Sequence, residues 1–416
     1  MISITVPSRL WYENVERELT FPEKWEVHNL TSPGLEKNEI SPAEIKEKIE
    51  KPIEGPDLAH LAKGKKEAVI IFDDMTRPTP VKDVAPHVLE ILHLAGLSRD
   101  QIRFVWALGT HGAYDMINAR KKLGNDIVEN YAVYNHDPFQ NTIRIGRTPT
   151  GVEVWVNREV MRCDLKIGIG CITPHVHVGF GGGGKIVLPG VAGIESINQF
   201  HNRLYHDPAR TGLGNFDQNI MRSECDAAAS LAGLDFKIDC LVNRRGKITN
   251  LYAGPFRATH AAGGEEGKDH YGIVTEGNFD IAICNSYAKA NESAIALLLA
   301  LNVLKLDGSA TAVLISDAPE GQVPHYVMRA WGSDYGGRHY TPKEKGGKSA
   351  VAFLKKLIVF APQPDRTMLD LICHPDDAII VKTWKEVLNI LEADYPDKAR
   401  VAVIPDGTMQ YVKKIG

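Results

Sequence analysis

The sequence predicts an α/β protein made of two α/β domains, and three observations carry that expectation. Short apolar runs end in polar or glycine-rich loops and give way to apolar residues at helical spacing, first at residues 68–95. The same rhythm resumes beyond residue 277. The length, 416 residues, exceeds what one hydrophobic core usually covers. The expected division is an N-terminal α/β domain at 1–276 and a C-terminal α/β domain at 277–416.

Taken in order, residues 2–7 (ISITVP) read as a short strand, followed by a polar, proline-containing region to about Lys65. The run at 68–72 is apolar and β-rich and ends in Asp73 and Asp74, so a buried strand delivers carboxylates to its C-terminal end. MTRPTP then breaks the strand, and residues 81–95 read as a helix. Parallel α/β folds gather ligands at this strand end. The unit repeats with a strand at 101–108 and the loop GTHG at 109–112, which places His111 near Asp74 and Arg77. A third strand at 165–172 stops at Pro174. Residues 236–254 alternate β-formers around an Arg-Gly turn and predict a hairpin. AAGGEEGK at 261–268 reads as a hinge or linker. Beyond it come strands at 281–284, 311–315, 357–360 and 400–404, with helices at 292–304, between 315 and 357, and at 384–391.

Composition narrows the class. A hydrophobic content of 44% beside 24% charged residues supports a globular core. The formal net charge of -4, with no basic block, leaves no footprint for nucleic acid. Cys163, Cys171, Cys225, Cys240, Cys284 and Cys373 form no C-x-x-C pair, which argues against a zinc site or a disulfide framework and fits a reducing cytoplasm. The chain opens on a strand pattern rather than a leader, and no apolar run reaches spanning length, so neither secretion nor membrane insertion is expected.

The densest chemistry lies at residues 171–201, CITPHVHVGFGGGGKIVLPGVAGIESINQFH. Gly179, Gly181, Gly182, Gly183 and Gly184 leave backbone free to approach a ligand, and Lys185 follows them. Residues 179–185 satisfy G-x-x-x-x-G-K, but Ile186 stands where a nucleotide-hydrolysing loop places the Ser or Thr that ligates magnesium. The expectation is a glycine cradle for a phosphate without NTPase chemistry. His175 and His177 flank Val176, and only one of the two is expected to face a shared ligand. His175, directly after Pro174, is the one expected, with His177 as its structural partner. His201, beyond a helix containing residues 195–200, is a candidate metal ligand through neutral imidazole. His111 is singled out by its flanking glycine at a strand end, and Arg77 by a planar guanidinium that suits a carboxylate or phosphate. Asp74 also has a plain reading as a helix cap, and Trp384 as core of an amphipathic helix. His28, His60, His87, His93, His260, His270, His339 and His374 read as solvated or satisfied imidazoles.

Together, DDMTRP at 73–78, GTHG at 109–112, PHVHVGFGGGGKIVLPG at 174–190 and INQFH at 197–201 resemble the lactate racemase family, whose members use a nickel-pincer nucleotide. The spacing is specific, with a histidine ten residues before the lysine and another sixteen after it. The resemblance implies that Lys185 joins the pyridinium-derived cofactor covalently and that His201 completes the coordination of nickel. It implies His111 and His175 as the two catalytic bases and Arg77 as the holder of the substrate carboxylate. Asp74, Arg77, Gly182, Gly183, Gly184 and Trp384 join the cofactor-binding set. Trp384 is then supplied by the second domain, so the active site is expected at the domain interface. The implied enzyme is an isomerase, a racemase or epimerase acting on a small-molecule 2-hydroxy acid. A hydride leaves C2 for the cofactor while one histidine takes the hydroxyl proton, and return to the other face with a proton from the second inverts the centre. The implied partners include separate proteins that build the cofactor.

The second domain departs from the family pattern. Where the lactate enzymes carry N-L-Y-Q-A-Q-K, this chain has NESAIAL at 291–297, with Ser293, Ala294 and Leu297 in place of polar groups. Loss of the cation points to a 2-hydroxy acid other than lactate, larger or polyhydroxylated, with Lys289, Asn291 or Glu292 as its alternative contacts. Two other classes stay open at this stage: a hydrolase or nucleotide-dependent enzyme that binds a phosphate ligand in the glycine loop, and a non-catalytic cofactor-binding homologue.

Overall fold

The computed structural model describes residues 1–204, 209–326, 346, 349–369 and 372–413. They form two compact units. One unit spans Lys37–His270 and includes His325 and Tyr326; the other joins Met1–Glu36 to Tyr271–Pro324 and to the described residues beyond His339. Among the described residues no helix is long and apolar enough to cross a membrane.

The first unit is built on a six-stranded sheet in the order Ile248–Gly254, Phe236–Val242, Leu165–Cys171, Ala68–Asp73, Ile102–Ala107, Ala132–Asn135. All neighbours are parallel except the hairpin pair Phe236–Val242 and Ile248–Gly254. Its central strands are buried along their whole length, which is why they read as unbroken apolar runs. Because Asp73 pairs with Ala107 and Phe72 with Ile169, the loops that follow all three strands leave the same edge. One face packs Val69, Ile71 and Val105 against Ile186, Val187, Leu188, Ile197, Phe200 and Cys225. The residues that follow Lys185, and the helix that carries His201, are therefore part of the core.

The other unit holds a fully parallel six-stranded sheet in the order Ile379–Val381, Lys356–Phe360, Thr311–Ile315, Ile281–Asn285, Arg400–Ile404, Glu26–Asn29. The four strands expected in this half are present. The helix expected at 292–304 is a 3-10 segment, Tyr287–Ala296, leading into the α-helix Leu297–Val303. The helix expected between 315 and 357 lies largely outside the described residues.

Two expectations are corrected. Residues 1–36 group with the later half, because Glu26–Asn29 adds to the edge strand Arg400–Ile404 and Val6, Leu19, Phe21 and Trp25 share a core with Ile281 and Val403. A chain-order boundary at 276 could not show this, since EVHN carries no apolar signature of its own. The supposed hinge at 261–268 lies inside the helix Phe256–Tyr271. Its glycines serve packing: a Cβ on Gly263 would lie 2.7 Å from Ile172 Cγ1, and one on Gly264 would lie 2.9 Å from the Phe216 ring.

Candidate active site

The Asp74 loop is braced from below before it offers anything to a ligand. Thr76 donates to Asp74 Oδ1 from its amide at 2.9 Å and its hydroxyl at 2.5 Å. Lys122, fully buried on the helix Met116–Leu123, donates to the carbonyls of Asp74 at 2.9 Å and Arg77 at 2.8 Å and pairs with Asp73 at 2.8 Å. Nothing in the sequence distinguishes Lys122 from a surface helix lysine. Arg77 is half-buried, with Nη1 donating to Thr76 O at 2.9 Å and Oγ1 at 2.7 Å.

With the loop fixed, Asp74 Oδ2 receives His111 Nδ1 at 2.5 Å. Burial alone would raise the Asp74 carboxyl, but the His111 and Arg77 charges and the hydrogen bonds outweigh it and hold the group below its usual range. An ionised carboxylate on Nδ1–H orients His111 and stabilises its charged form, and in the neutral ring it fixes the tautomer that has the lone pair on Nε2. The GTHG loop is itself tied to the glycine-rich segment through Gly109 N donating to Gly190 O at 2.8 Å. The sequence reading passed over His325, whose ring lies 5.2 Å from that of His111 and whose Nε2 is 3.2 Å from Thr110 Oγ1.

The second group of residues sits after the strand Leu165–Cys171. The expectation that only one of His175 and His177 faces the site is corrected here, since residues two apart share a face of an extended segment and here also flank a turn. Pro174–His175 pairs antiparallel with Gly179–Phe180, so residues 176–178 form a tight turn and both rings come to one place, 5.6 Å apart. His177 N donates to His175 Nδ1 at 3.2 Å, so the neutral His175 ring carries its proton on Nε2. His177 also lies 5.7 Å from the ring of His201. Burial, with the neighbouring His201 and Lys185, pushes His177 down to about 3 from the usual 6.5 and keeps it neutral.

His201 rides on the helix Ile194–Leu204, anchored by Ser196 Oγ accepting from Trp155 N at 2.8 Å and Gln199 Oε1 accepting from Glu153 N at 3.0 Å. Its Nδ1 donates to Ile197 O at 2.8 Å, which leaves Nε2 as the electron-pair donor. This is the arrangement in which a histidine ligates a metal.

The glycine cradle is corrected. Gly183 N donates to Asp239 Oδ2 at 2.9 Å, while Arg222 donates to the loop's carbonyls, Gly182 O at 3.0 Å and Phe180 O. A Cβ on Gly182 would lie 2.5 Å from Asp239 Oδ1, on Gly183 2.8 Å from His260, and on Gly184 2.7 Å from Cys225 O. Gly182, Gly183 and Gly184 thus let protein pack against the loop, and the anion facing its backbone is internal. Lys185 emerges from this loop half-buried, beside His177.

Trp384 belongs to the other unit. Its ring packs on Phe21 at 5.4 Å and Phe360 at 6.2 Å, and Nε1 donates to Thr20 O at 3.0 Å, which is the core role. In that unit Leu297 is a core residue, Ser293 donates to Gln322 Oε1 from N and Oγ, and Lys289 is buried beside Asp406. Asn291 and Glu292 are half-buried.

The chain is similar in sequence and in fold to known proteins. Residues 12–212 match the family model described as the lactate racemase N-terminal domain, a span that contains Asp74, Arg77, His111, His175, Lys185 and His201. The lactate racemase of Thermoanaerobacterium thermosaccharolyticum is 33% identical over 225 residues, covering 53% of this chain and 52% of that protein. The lactate racemase of Lactiplantibacillus plantarum is 33% identical over 230 residues, covering 54% of each. In sequence, the chain therefore spans about half the length of the curated relatives it matches. The fold is shared further. The lactate racemase apoprotein structure from T. thermosaccharolyticum superposes with a TM-score of 0.75 at 23% identity, covering 99% of this chain and all of that one. A Thermotoga maritima crystal structure superposes at 0.68 and 18% identity, covering 91% of this chain. Residues 12–212 are thus similar to the N-terminal domain of lactate racemases, and the chain as a whole shares the fold of the lactate racemase apoprotein.

Proposed function

We propose that the protein is an isomerase that inverts C2 of a 2-hydroxy acid, with His111 and His175 as its paired acid and base. The observation that carries this reading is the complementary state of the two rings. Asp74 on Nδ1 leaves His111 with a lone pair at Nε2, whereas the His177 amide on Nδ1 leaves His175 with a proton at Nε2. One ring is set to accept a hydroxyl proton and the other to present one, as inversion at a carbinol carbon requires. The ionised Asp74 stabilises the imidazolium that His111 becomes. Arg77, half-buried at the same strand edge, suits the substrate carboxylate through its planar fork.

The residues present fit a nickel-pincer nucleotide at two points: His201 offers Nε2 because Nδ1 is committed to Ile197 O, and Lys185 is a half-buried amine beside His177, whose ring lies 5.7 Å from that of His201. His201 would hold the metal and Lys185 the covalent bond. When bound, this group supplies the acceptor and donor for the C2 hydride. Separate maturation proteins would deliver it, and a soluble cytoplasmic setting suits that supply.

The substrate we infer is a 2-hydroxy acid other than lactate. Ser293 is engaged with Gln322 and Leu297 lies in a hydrophobic core, so neither provides the polar group that the lactate pattern has there. The alternative of a phosphate-binding hydrolase or nucleotide-dependent enzyme is less favoured, because the Gly183 amide of the glycine loop already donates to Asp239.

The test uses cofactor-loaded protein and chiral analysis of a panel of 2-hydroxy acids. His111→Gln and His175→Gln, each alone, are expected to lower inversion from either enantiomer by about 10²- to 10⁴-fold. Inversion at the original rate in both directions by either variant contradicts the reading, and a panel in which lactate alone is inverted contradicts the substrate inference.

A further inference from the structure

Asp239, on the strand Phe236–Val242, is fully buried and uses both oxygens. Its Oδ2 accepts from Gly183 N at 2.9 Å and Thr259 Oγ1 at 2.9 Å, and its Oδ1 accepts from Lys237 Nζ at 2.6 Å. Lys237 is equally buried and also donates to Ile238 O at 2.7 Å. Burying such a pair is unfavourable unless nearly every hydrogen bond is made, and apolar residues of the same volume often serve stability as well. Packing alone therefore leaves the pair without a reason. What the pair does that an apolar residue cannot is grip a backbone amide two residues before Lys185. Arg222 donates to two carbonyls that precede this amide, at Phe180 and Gly182. The positive φ of Gly182 (+80°) and Gly183 (+55°) lets the backbone fold onto the carboxylate.

The pair also faces the His111 side of the site. A Cβ on Gly170 would lie 3.3 Å from both Lys237 Nζ and Asp73 Oδ2, and Asp73 is the partner of Lys122 beneath the Asp74 loop. A buried run of alternating charge thus underlies both loops.

We propose that Asp239, held by Lys237 and Thr259, is a positioning residue for Lys185: it pins the glycine loop through Gly183 and so presents the lysine amine from one place. This rests on the covalent role of Lys185 for its purpose, but its test does not. The full chain without cofactor is pulse-labelled with limiting acetic anhydride, and acetylation of each lysine is read by peptide mass spectrometry. Exposed Lys51 serves as the reference and buried Lys122 reports whether the fold is intact.

Asp239→Asn keeps the shape and removes the charge. Lys185 labelling relative to Lys51 is expected to rise about five- to thirty-fold, the change in an open-to-closed ratio that losing a charge-assisted buried hydrogen bond brings, while Lys122 stays protected. Unchanged Lys185 labelling with Lys122 protected overturns the proposal. If Asp239→Asn also uncovers Lys122, Thr259→Val decides, because it leaves the ion pair in place: a rise at Lys185 alone upholds the proposal and no rise overturns it. Since no cofactor takes part, failure here leaves the racemase reading standing, and failure of covalent loading leaves this one standing.

Discussion

At the scale of single residues, the site depends on which nitrogen of each histidine is committed. In the proposed reaction Asp74 would do more than orient His111, because an ionised partner on Nδ1 also stabilises the charge that an accepting ring takes up. Asp74→Asn is expected to keep the fold and lower inversion by about 10²- to 10⁴-fold in steady-state assays of loaded enzyme; activity within a factor of two of wild type would remove Asp74 from the machinery. A second buried histidine matters for stability. His136 donates from Nε2 to Ala192 O at 2.8 Å and receives Asn157 Nδ2 at 3.1 Å, just ahead of the helix that carries His201. Burial pushes it down to about 4 from 6.5. The unfolded chain therefore binds the proton first, and stability contributed above pH 6.5 is lost as pH falls toward 4, by about 3 kcal/mol. Urea unfolding of His136→Phe should show lower stability at neutral pH and a shallower loss between pH 6.5 and 4; an unchanged slope would contradict the assignment. His111, Asp74 and Arg77 were legible because glycine and proline marked their strand ends. His325, Lys122 and Asp239 were not, since each acts through a partner distant in sequence.

At the scale of elements, the central strands of both sheets were legible because burial on both faces makes them unbroken apolar runs, whereas the edge strands Ala132–Asn135, Glu26–Asn29 and Ile379–Val381 are short and lack that burial. Glycine was the source of error. AAGGEEGK reads as a linker by composition, yet tertiary contact with Ile172 and Phe216 needs small residues and makes it helix. Gly263→Ala shows which effect wins. Helix propensity favours alanine by about 1 kcal/mol, but a Cβ only 2.7 Å from Ile172 Cγ1 forces a shift in a packed core that costs about 1–3 kcal/mol. The net expectation in thermal or urea unfolding is destabilisation, and a more stable Gly263→Ala would mean that the helix is looser than described. The same lesson holds for residues 179–185. The motif was visible, but its occupant was an internal carboxylate that no local pattern could reveal.

At the scale of the whole molecule, the α/β class followed from rhythm alone, whereas the composition of the units did not. Residues 1–36 complete the sheet and core of the later half through pairings across nearly the full chain length, such as Val27 with Val401. Local propensity carries no information about contacts of that separation. The central claim is that this fold presents Lys185 and His201 to a nickel-containing group. The most direct test is intact-protein mass together with nickel content, on the full chain produced beside cofactor-building proteins whose competence is verified on a known lactate racemase, with Lys185→Ala as control. The account predicts a stoichiometric added mass with nickel in the wild-type chain and no added mass in the control. The wild-type chain carrying no adduct, or the control carrying the same one, would contradict it.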